Sequence, residues 1–127
     1  MPTTTCAVRP IKFSALTELV AGVAAARIAL DPGIGFGKTP VHNWALLQRQ
    51  ADMLSLGQPL LVGWSRKSTL GALTGRPVTD RLAASVAAAL AAVQRGAHIV
   101  RVHDVAATVD ALKVWRSAGL LAAAPGD

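Results

Sequence analysis

The chain has 127 residues, of which 52% are hydrophobic and 16% are charged, and this composition excludes intrinsic disorder over most of its length. The length suffices for one domain or for part of a larger one. A single cysteine, Cys6, excludes an internal disulfide framework and a cysteine-based zinc site. No apolar run reaches the length of a membrane span and no secretory pattern opens the chain, so we expect no membrane association and a cytoplasmic location.

The charge balance favours an anionic partner, because 13 basic residues face 7 acidic ones and the formal net charge is +6. Nucleic acid is the first class of partner that such a charge suggests. However, the basic residues are scattered singly and only 4% of the residues are aromatic, which is too few for a base-stacking surface. The sequence therefore favours a small anionic ligand and no nucleic acid.

The first half of the chain reads as a tail, a helix, a strand and a second helix. Residues 1–12 carry no pattern, and apolar spacing predicts a helix over Ser14–Ala24. A buried strand is predicted at Arg27–Leu30. Thr39 and Pro40 then fit a helix cap and first turn, and Gly57 fits the end of that helix.

The second half repeats the same order twice. Strands are predicted at Leu60–Trp64 and His98–Val102. The helix after the first begins at Thr79 or Asp80 and ends at Gly96, and the helix after the second is capped by Asp104 and ends at Gly119. The expected inner faces carry Leu82, Val86, Leu90 and Val93 in the first of these helices and Val105, Val109 and Leu112 in the second. Residues 121–127 are expected to fray.

This order predicts an α/β fold in which a helix precedes three βα units. The strands recur roughly every 35 residues, close to the repeat of a (β/α)₈ (TIM) barrel, in which about 250 residues hold eight units. We therefore predict a partial TIM barrel over residues 13–120, with an open doubly wound sheet as the alternative. In both architectures, ligands bind at the carboxyl ends of the parallel strands.

Charged and polar residues follow each predicted strand directly. The segments are Asp31–Lys38, Gly63–Ser68 and Arg101–Asp104. Such groups are costly to bury without partners, so three clusters at one sheet edge predict a ligand site. The glycine loop is not a P-loop, because Pro32 stands where the first glycine would be, and its glycine spacing does not fit the dinucleotide fingerprint. It is either a turn whose glycines take positive φ or a loop that contacts a flat ring.

Several side chains in these segments have both a structural and a functional interpretation. The Asp31 carboxylate can accept two hydrogen bonds from an amidine-like edge, or it can cap a turn. Lys67 can donate to a ring carbonyl or nitrogen, and Arg66 is either a site residue or a surface residue. Arg101 and His103 alternate by two and so share one face, where they suit a phosphate-like anion, although Arg101 can also pair with a local aspartate.

The remaining histidines and tryptophans carry weaker signals. His42 and His98 lack partners at metal-ligand spacing and are expected to be surface or core residues. Core packing is the default for the tryptophans, but Trp64 directly precedes the Ser65–Ser68 cluster and can border the site. Cys6 lies in the tail and has no neighbouring base.

The three segments Leu30–Lys38, Gly63–Ser68 and Arg101–Val105, in this order and spacing, resemble dihydropteroate synthase, the folate-pathway target of sulfonamides. That family is a TIM barrel which condenses 6-hydroxymethyl-7,8-dihydropterin diphosphate with 4-aminobenzoate to give 7,8-dihydropteroate and diphosphate. The likeness covers about residues 16–119 and corresponds to barrel strands six to eight.

The resemblance implies a role for each matching residue. Pterin would be bound by Asp31, Lys67, Phe36 and Gly63, and the leaving diphosphate by Arg101 and His103. The walls of the aminobenzoate site would be Lys38, Ser65, Arg66 and Ser68.

The resemblance also implies what this sequence does not supply. The family's N-terminal half carries an asparagine that helps bind Mg²⁺, two mobile loops and further pterin contacts, and we find no counterparts here. We therefore expect no metal ligand in this chain and impaired activity in isolation. An inactive half-barrel that binds pterin or anions, or that pairs with another chain, is the alternative. Family members are usually dimers, so homodimerisation or self-association is expected.

Overall fold

The computed structural model describes residues 22–121. The predicted tail at 1–12, most of the helix predicted at Ser14–Ala24 and residues 122–127 lie outside this range. Gly22–Ala24 are not helical, and a short 3₁₀ helix follows at Ala25–Arg27.

Helices and short strands alternate through the rest of the described chain. Helix α1 covers Pro40–Gln48 and is followed by a 3₁₀ helix at Gln50–Leu56; strand β1 covers Leu61–Val62 and helix α2 covers Ser68–Thr74. A 3₁₀ turn at Val78–Asp80 leads into helix α3 at Leu82–Gln94, strand β2 at Ile99–Val100 and helix α4 at Val105–Ser117. None of these helices is long and apolar enough to cross a membrane.

The strands form a small parallel sheet. Leu61 pairs with Ile99 and Val62 with Val100, while Leu30 forms a single parallel bridge to Leu60 on the other side of β1. The predicted parallel order of three segments is therefore present, and the fold is α/β. Both paired strands are shorter than predicted.

The first predicted strand, Arg27–Leu30, is wrong in extent because only Leu30 pairs. Leu30 donates to Pro59 O and accepts from Leu61 N, both at 2.8 Å. The next ladder bond would need an N–H at Pro59, which proline lacks. The side-chain amide of Gln58 takes its place: with the nitrogen oriented as donor, it lies 2.9 Å from Ile28 O.

The predicted helix start at Thr39 and Pro40 and the predicted helix end at Gly57 are confirmed. The Thr39 hydroxyl accepts a hydrogen bond from His42 N at 3.3 Å, and Pro40 is the first residue of α1. Gly57 ends the following 3₁₀ helix with φ of 76°. The predicted helix start at Thr79 or Asp80 was wrong, because both residues lie in a separate 3₁₀ turn and α3 begins at Leu82; the Asp80 carboxylate pairs with Arg76.

The inner face of α3 differs from the prediction. Its buried residues are Ser85, Ala88, Ala89 and Ala92, whereas Leu82 is 49% exposed. Alanines allow the helix backbone to approach the sheet closely, so the core side of α3 is its small-residue side. Likewise, α4 buries Thr108, while Val105 and Val109 are exposed.

The core lies between the sheet and the helices. Trp64 is 2% exposed and stacks on Trp44 with ring centroids 4.9 Å apart, so it is a core residue. Around this pair pack aliphatic residues of every layer: Ile34, Leu47, Val62, Leu70, Ala88, Ala92 and Ala97. His98 is tied to the sheet, where its Nδ1 accepts a hydrogen bond from Leu60 N at 3.1 Å.

Candidate ligand-binding site

All three segments that follow the sheet strands open onto one cavity of about 560 Å³ at the carboxyl ends of the strands. Its lining is Asp31, Gly33, Phe36, Gly63, Ser65, Lys67, Arg101, Val102 and His103. The volume lies within the range typical of small-molecule sites. The sequence-predicted pterin residues and the predicted anion pair are thus brought together, while the roles assigned to them stay predictions.

Asp31 and Arg101 face each other across this cavity. The Asp31 Oδ1 accepts a hydrogen bond from Gly33 N at 2.8 Å, and Oδ2 lies 3.4 Å from Arg101 Nη1. The turn cap that the sequence left open is therefore present, and Arg101 pairs with the distant Asp31 and not with a local aspartate. Because the pair is long and Arg101 is 54% exposed, it is worth little, and a ligand can compete for either partner at low cost.

The glycine loop contacts the stem of Lys67. Gly33, Gly35 and Gly37 have φ of 70°, 84° and 59°, as the turn interpretation predicted. A Cβ at Gly35 would lie 3.1 Å from Lys67 Cδ, so a side chain there would require Lys67 to shift by a few tenths of an ångström in addition to adopting the positive φ. The Lys67 ammonium lies 4.5 Å from the centroid of the Phe36 ring, which is 64% exposed. The loop and Lys67 therefore form one wall of the cavity, with an accessible aromatic face.

Ser65 and His103 connect the ends of the two strands. The Ser65 hydroxyl lies 2.8 Å from His103 Nδ1 and also accepts a hydrogen bond from His103 N at 3.2 Å. Ser65 is buried and His103 is exposed at the cavity, as its position two residues after Arg101 predicted.

Arg66 does not line this cavity, because its backbone turns away with φ of 58°. Its guanidinium pairs with Asp104 at 3.1 Å and lines a second cavity of about 400 Å³ with Val78, Thr79, Arg81 and Leu82. The prediction that the Asp104 side chain caps α4 is wrong. Asp104 does precede the helix, but its carboxylate accepts from Arg66 instead of from the helix N–H groups.

Two further predicted wall residues, Lys38 and Ser68, also lie outside the main cavity. Lys38 Nζ donates to the carbonyl oxygens of Gly33 and Phe36 at 2.8 and 2.9 Å, so it closes its own loop. Ser68 is the first residue of α2 and is exposed. In this structure only Ser65 of the four predicted aminobenzoate residues lines the cavity.

Asn43 is a site-supporting residue that the sequence reasoning missed. It is 1% exposed, its Oδ1 accepts from Gly35 N at 3.1 Å, and its Nδ2 donates to Thr69 Oγ1 at 2.8 Å. It therefore ties the glycine loop to α2. An asparagine within an otherwise apolar helix face was the available signal.

The described residues do not fit a divalent cation. Between residues 22 and 121 no group of three or more His, Cys, Asp or Glu side chains gathers as a metal site. Of the described residues that line the main cavity, Asp31 alone carries a carboxylate, and two cationic side chains, Lys67 and Arg101, share that lining. Mg²⁺ requires several oxygen ligands in octahedral geometry, which this lining does not provide.

The cavity combines a carboxylate that can bind an N–H edge, an exposed aromatic face, an ammonium and a guanidinium–imidazole pair. These groups suit a flat, nitrogen-rich ring that carries an anionic group. Parallel strands with such a site at their carboxyl ends define a class of α/β ligand-binding proteins.

The comparisons with known proteins agree with this class. A family model described as "Pterin binding enzyme" matches residues 7–103. Dihydropteroate synthase of Neisseria meningitidis serogroup B is 53% identical over 116 residues, which cover 88% of this chain and 41% of that relative. The chain belongs to the pterin binding enzyme family.

Solved structures show the same likeness. The dihydropteroate synthase of Xanthomonas albilineans, in complex with 7,8-dihydropteroate, matches with a TM-score of 0.79 and 46% identity over 87% of this chain and 44% of that one. The Yersinia pestis enzyme, in a sulfonamide drug complex, matches with a TM-score of 0.77 and 39% identity over 84% and 41%. The chain thus spans about two fifths of the length of these relatives.

Proposed function

We propose that this chain supplies the pterin- and diphosphate-binding part of a dihydropteroate synthase. The observation that carries the proposal is the convergence of Asp31, Lys67, Arg101 and His103 on one cavity at the strand ends. The family match and the relatives complexed with dihydropteroate and with a sulfonamide support the same substrate class.

In the proposed complex, the ring and the diphosphate occupy different sides of the cavity. The Asp31 carboxylate accepts from the amino and ring N–H groups of the pterin, and Lys67 donates to its other polar edge. Phe36 provides an aromatic face, and Gly63 lines the cavity and leaves room for the Arg101 guanidinium beside the ring. Arg101 and His103 bind the diphosphate, for which a guanidinium is well shaped.

The proposed reaction breaks the bond between the pterin methylene carbon and the diphosphate oxygen. The diphosphate leaves with the electron pair, and positive charge develops on the methylene carbon. Arg101 and His103 lower the barrier by stabilising the charge that accumulates on the leaving group. The amine nitrogen of 4-aminobenzoate forms the new C–N bond and then loses a proton to solvent, so its contribution depends mainly on orientation.

We place the aminobenzoate on the side of Ser65, because Ser65 lines the main cavity and the next residue, Arg66, lines the second cavity. Arg66 is the cation there that can face the aminobenzoate carboxylate, once Asp104 is displaced from an exposed ion pair. We assign Ser68, which follows Arg66 by two residues, to the same wall, and Lys38 contributes by holding the glycine loop. We further propose that residues 13–120 form three units of a (β/α)₈ barrel.

Because the 127 residues span about two fifths of the relatives, we propose that they bind substrate without turning it over alone. The test is isothermal titration of the purified chain with 6-hydroxymethyl-7,8-dihydropterin diphosphate, together with an assay for dihydropteroate. We expect measurable binding and no product. Lys67→Ala should weaken binding about tenfold or more, as removal of one charged hydrogen-bond donor does.

Lys113→Ala is the matched control, because Lys113 lies on α4, is exposed and does not line the cavity. It should bind as the wild type does. Absence of binding in the wild-type chain, or equal losses in the two variants, would contradict the proposed site. Turnover at an ordinary enzymatic rate would contradict the need for contacts from the rest of the relatives' length.

We also propose that the chain self-associates. Val105 and Val109 lie one turn apart on α4 and are 59% and 42% exposed, so an apolar stripe is open there. Sedimentation velocity should detect a dimer in the wild type and a monomer in Val109→Lys. A monomeric wild type, or a dimer that survives the substitution, would refute this interface.

A further inference from the structure

Ser65 makes two contacts with His103, one to its imidazole and one to its backbone, and these contacts join the segments that follow β1 and β2. The side-chain oxygen lies 2.8 Å from His103 Nδ1 and accepts the backbone N–H of the same residue at 3.2 Å. Ser65 is only 7% exposed, so solvent does not readily replace either contact.

The proton positions follow from the number of hydrogen bonds that the Ser65 hydroxyl can donate and accept. A serine hydroxyl has one proton to donate and two lone pairs. Since Oγ already accepts the backbone N–H of His103, its own proton can go to Nδ1 of the same ring. With a proton on Nδ1 instead, the ring Nδ1–H and the backbone N–H of His103 would both donate to Oγ. The hydroxyl proton would then have no acceptor among residues 22–121. Leaving a buried donor unpaired is unfavourable, so the neutral ring carries its proton on Nε2.

We propose that Ser65 is a positioning residue that keeps His103 Nε2 protonated and available as a donor to the anion in the cavity. The hydroxyl fixes the tautomer of the neutral ring, and the protonated ring carries a proton on Nε2 in any case. His103 therefore donates to an anion in both of its protonation states. The identity of that anion, the leaving diphosphate, rests on the proposed function.

The charged groups around His103 fit this role. Arg101, Lys67 and Asp31 line the same cavity, and the Arg66–Asp104 pair lies at the adjacent turn. Nε2 makes no hydrogen bond to any group in the described part of the chain, so the donor is free for a ligand.

The same contacts argue against Ser65 as a nucleophile. A catalytic serine is exposed to its substrate, and its base is oriented by a third group. Here the hydroxyl is buried and accepts a backbone N–H, and no described carboxylate bonds to the ring of His103.

The test is a long-range ¹H–¹⁵N spectrum of the histidine rings in the full chain, with His103 assigned from its loss in His103→Gln. At a pH where the ¹⁵N shifts show a neutral ring, we expect the Nε2–H tautomer with Nδ1 as a hydrogen-bonded acceptor. In Ser65→Ala the Nδ1–H population should rise several-fold, and in Ser65→Thr the wild-type pattern should return. A wild-type ring protonated on Nδ1, or an unchanged tautomer in Ser65→Ala, would overturn the inference.

His98 provides an internal control in the same spectrum. Its Nδ1 accepts a hydrogen bond from the backbone of Leu60, so its Nε2–H tautomer should not respond to Ser65→Ala. A simultaneous change at His98 would indicate that Ser65→Ala disturbs the fold. Ser65→Thr keeps the hydroxyl, so it would then show whether the tautomer of His103 depends on the hydroxyl or on the fold.

Titration with inorganic diphosphate separates this inference from the proposed function. Ser65→Ala should weaken diphosphate binding about tenfold, Ser65→Thr should restore it, and Ser55→Ala, whose exposed hydroxyl bonds to Asp52 O, should leave it unchanged. If the wild type binds no diphosphate, the proposal that diphosphate is the bound anion is wrong, even when the tautomer of His103 is as expected. If it binds diphosphate and Ser65→Ala has no effect, the positioning role fails.

Discussion

Gly63 sets the position of Arg101, and Gly63→Ala isolates that effect. Gly63 is buried at the end of β1, and a Cβ there would lie 2.7 Å from Arg101 Nη2 and 3.2 Å from both Cζ and Nε. Ordinary van der Waals contact begins at 3.4 Å, so the guanidinium has to move by about 0.7 Å. Its backbone φ is not in the left-handed region, so alanine adds no strain there.

Gly63→Ala should reduce the affinity for diphosphate and leave the stability of the fold nearly unchanged. The displaced group is the far end of a half-exposed side chain, and its 3.4 Å contact with Asp31 is a weak surface pair. We therefore expect the free energy of unfolding to change by less than about 1 kcal/mol. A hydrogen bond from a charged donor contributes about 1.5–3 kcal/mol, so diphosphate should bind roughly ten- to a hundredfold more weakly.

The assay is titration of inorganic diphosphate into the wild type, Gly63→Ala, Arg101→Ala and the double variant, with urea unfolding of each. Because the alanine acts through the guanidinium, Gly63→Ala should have no further effect on binding once Arg101 is removed. A comparable loss of affinity in both backgrounds would refute this reasoning. So would a loss of several kcal/mol of stability in Gly63→Ala.

Two further substitutions test the supports around the site. Asn43→Ala removes one buried and one partly buried hydrogen bond and should lower the free energy of unfolding by about 2–3 kcal/mol in urea titrations, with Asn43→Asp intermediate. A change below about 0.5 kcal/mol would show that the glycine loop does not depend on Asn43. Asp104→Asn removes the carboxylate that pairs with Arg66 and should change the free energy of unfolding by less than about 1 kcal/mol. The freed Arg66 should bind 4-aminobenzoate more tightly, and weaker binding would contradict the placement of Arg66.

The sequence predicted which strand-end residues would meet at one cavity better than it predicted how the helices pack. Two local signals have the same meaning in any parallel sheet. These are charged residues directly after apolar strands and the two-residue spacing of Arg101 and His103. The positive φ of the glycine loop is equally local. By contrast, Arg66 was not separable from Lys67 by pattern, because one left-handed residue sends neighbouring side chains to different cavities.

The elements that the sequence did not predict depend on tertiary contacts. Helix α2 was missed because Ser68–Thr74 is short and contains a glycine and two β-branched threonines. The core face of α3 was predicted from its large apolar residues, but close packing against the sheet selects the alanines. The first strand begins only at Leu30 because Pro59 lacks the N–H that would pair with Ile28, an effect that appears only once the pairing register is known.

The central claim is that pterin diphosphate binds where the three strand ends meet, and an amide titration of the 127-residue chain tests it most directly. On addition of 6-hydroxymethyl-7,8-dihydropterin diphosphate, the largest ¹H–¹⁵N shift changes should fall on Asp31–Phe36, Gly63–Lys67 and Arg101–His103 together. Shift changes confined to the second cavity around Val78–Leu82, or spread evenly along the chain, would contradict the account.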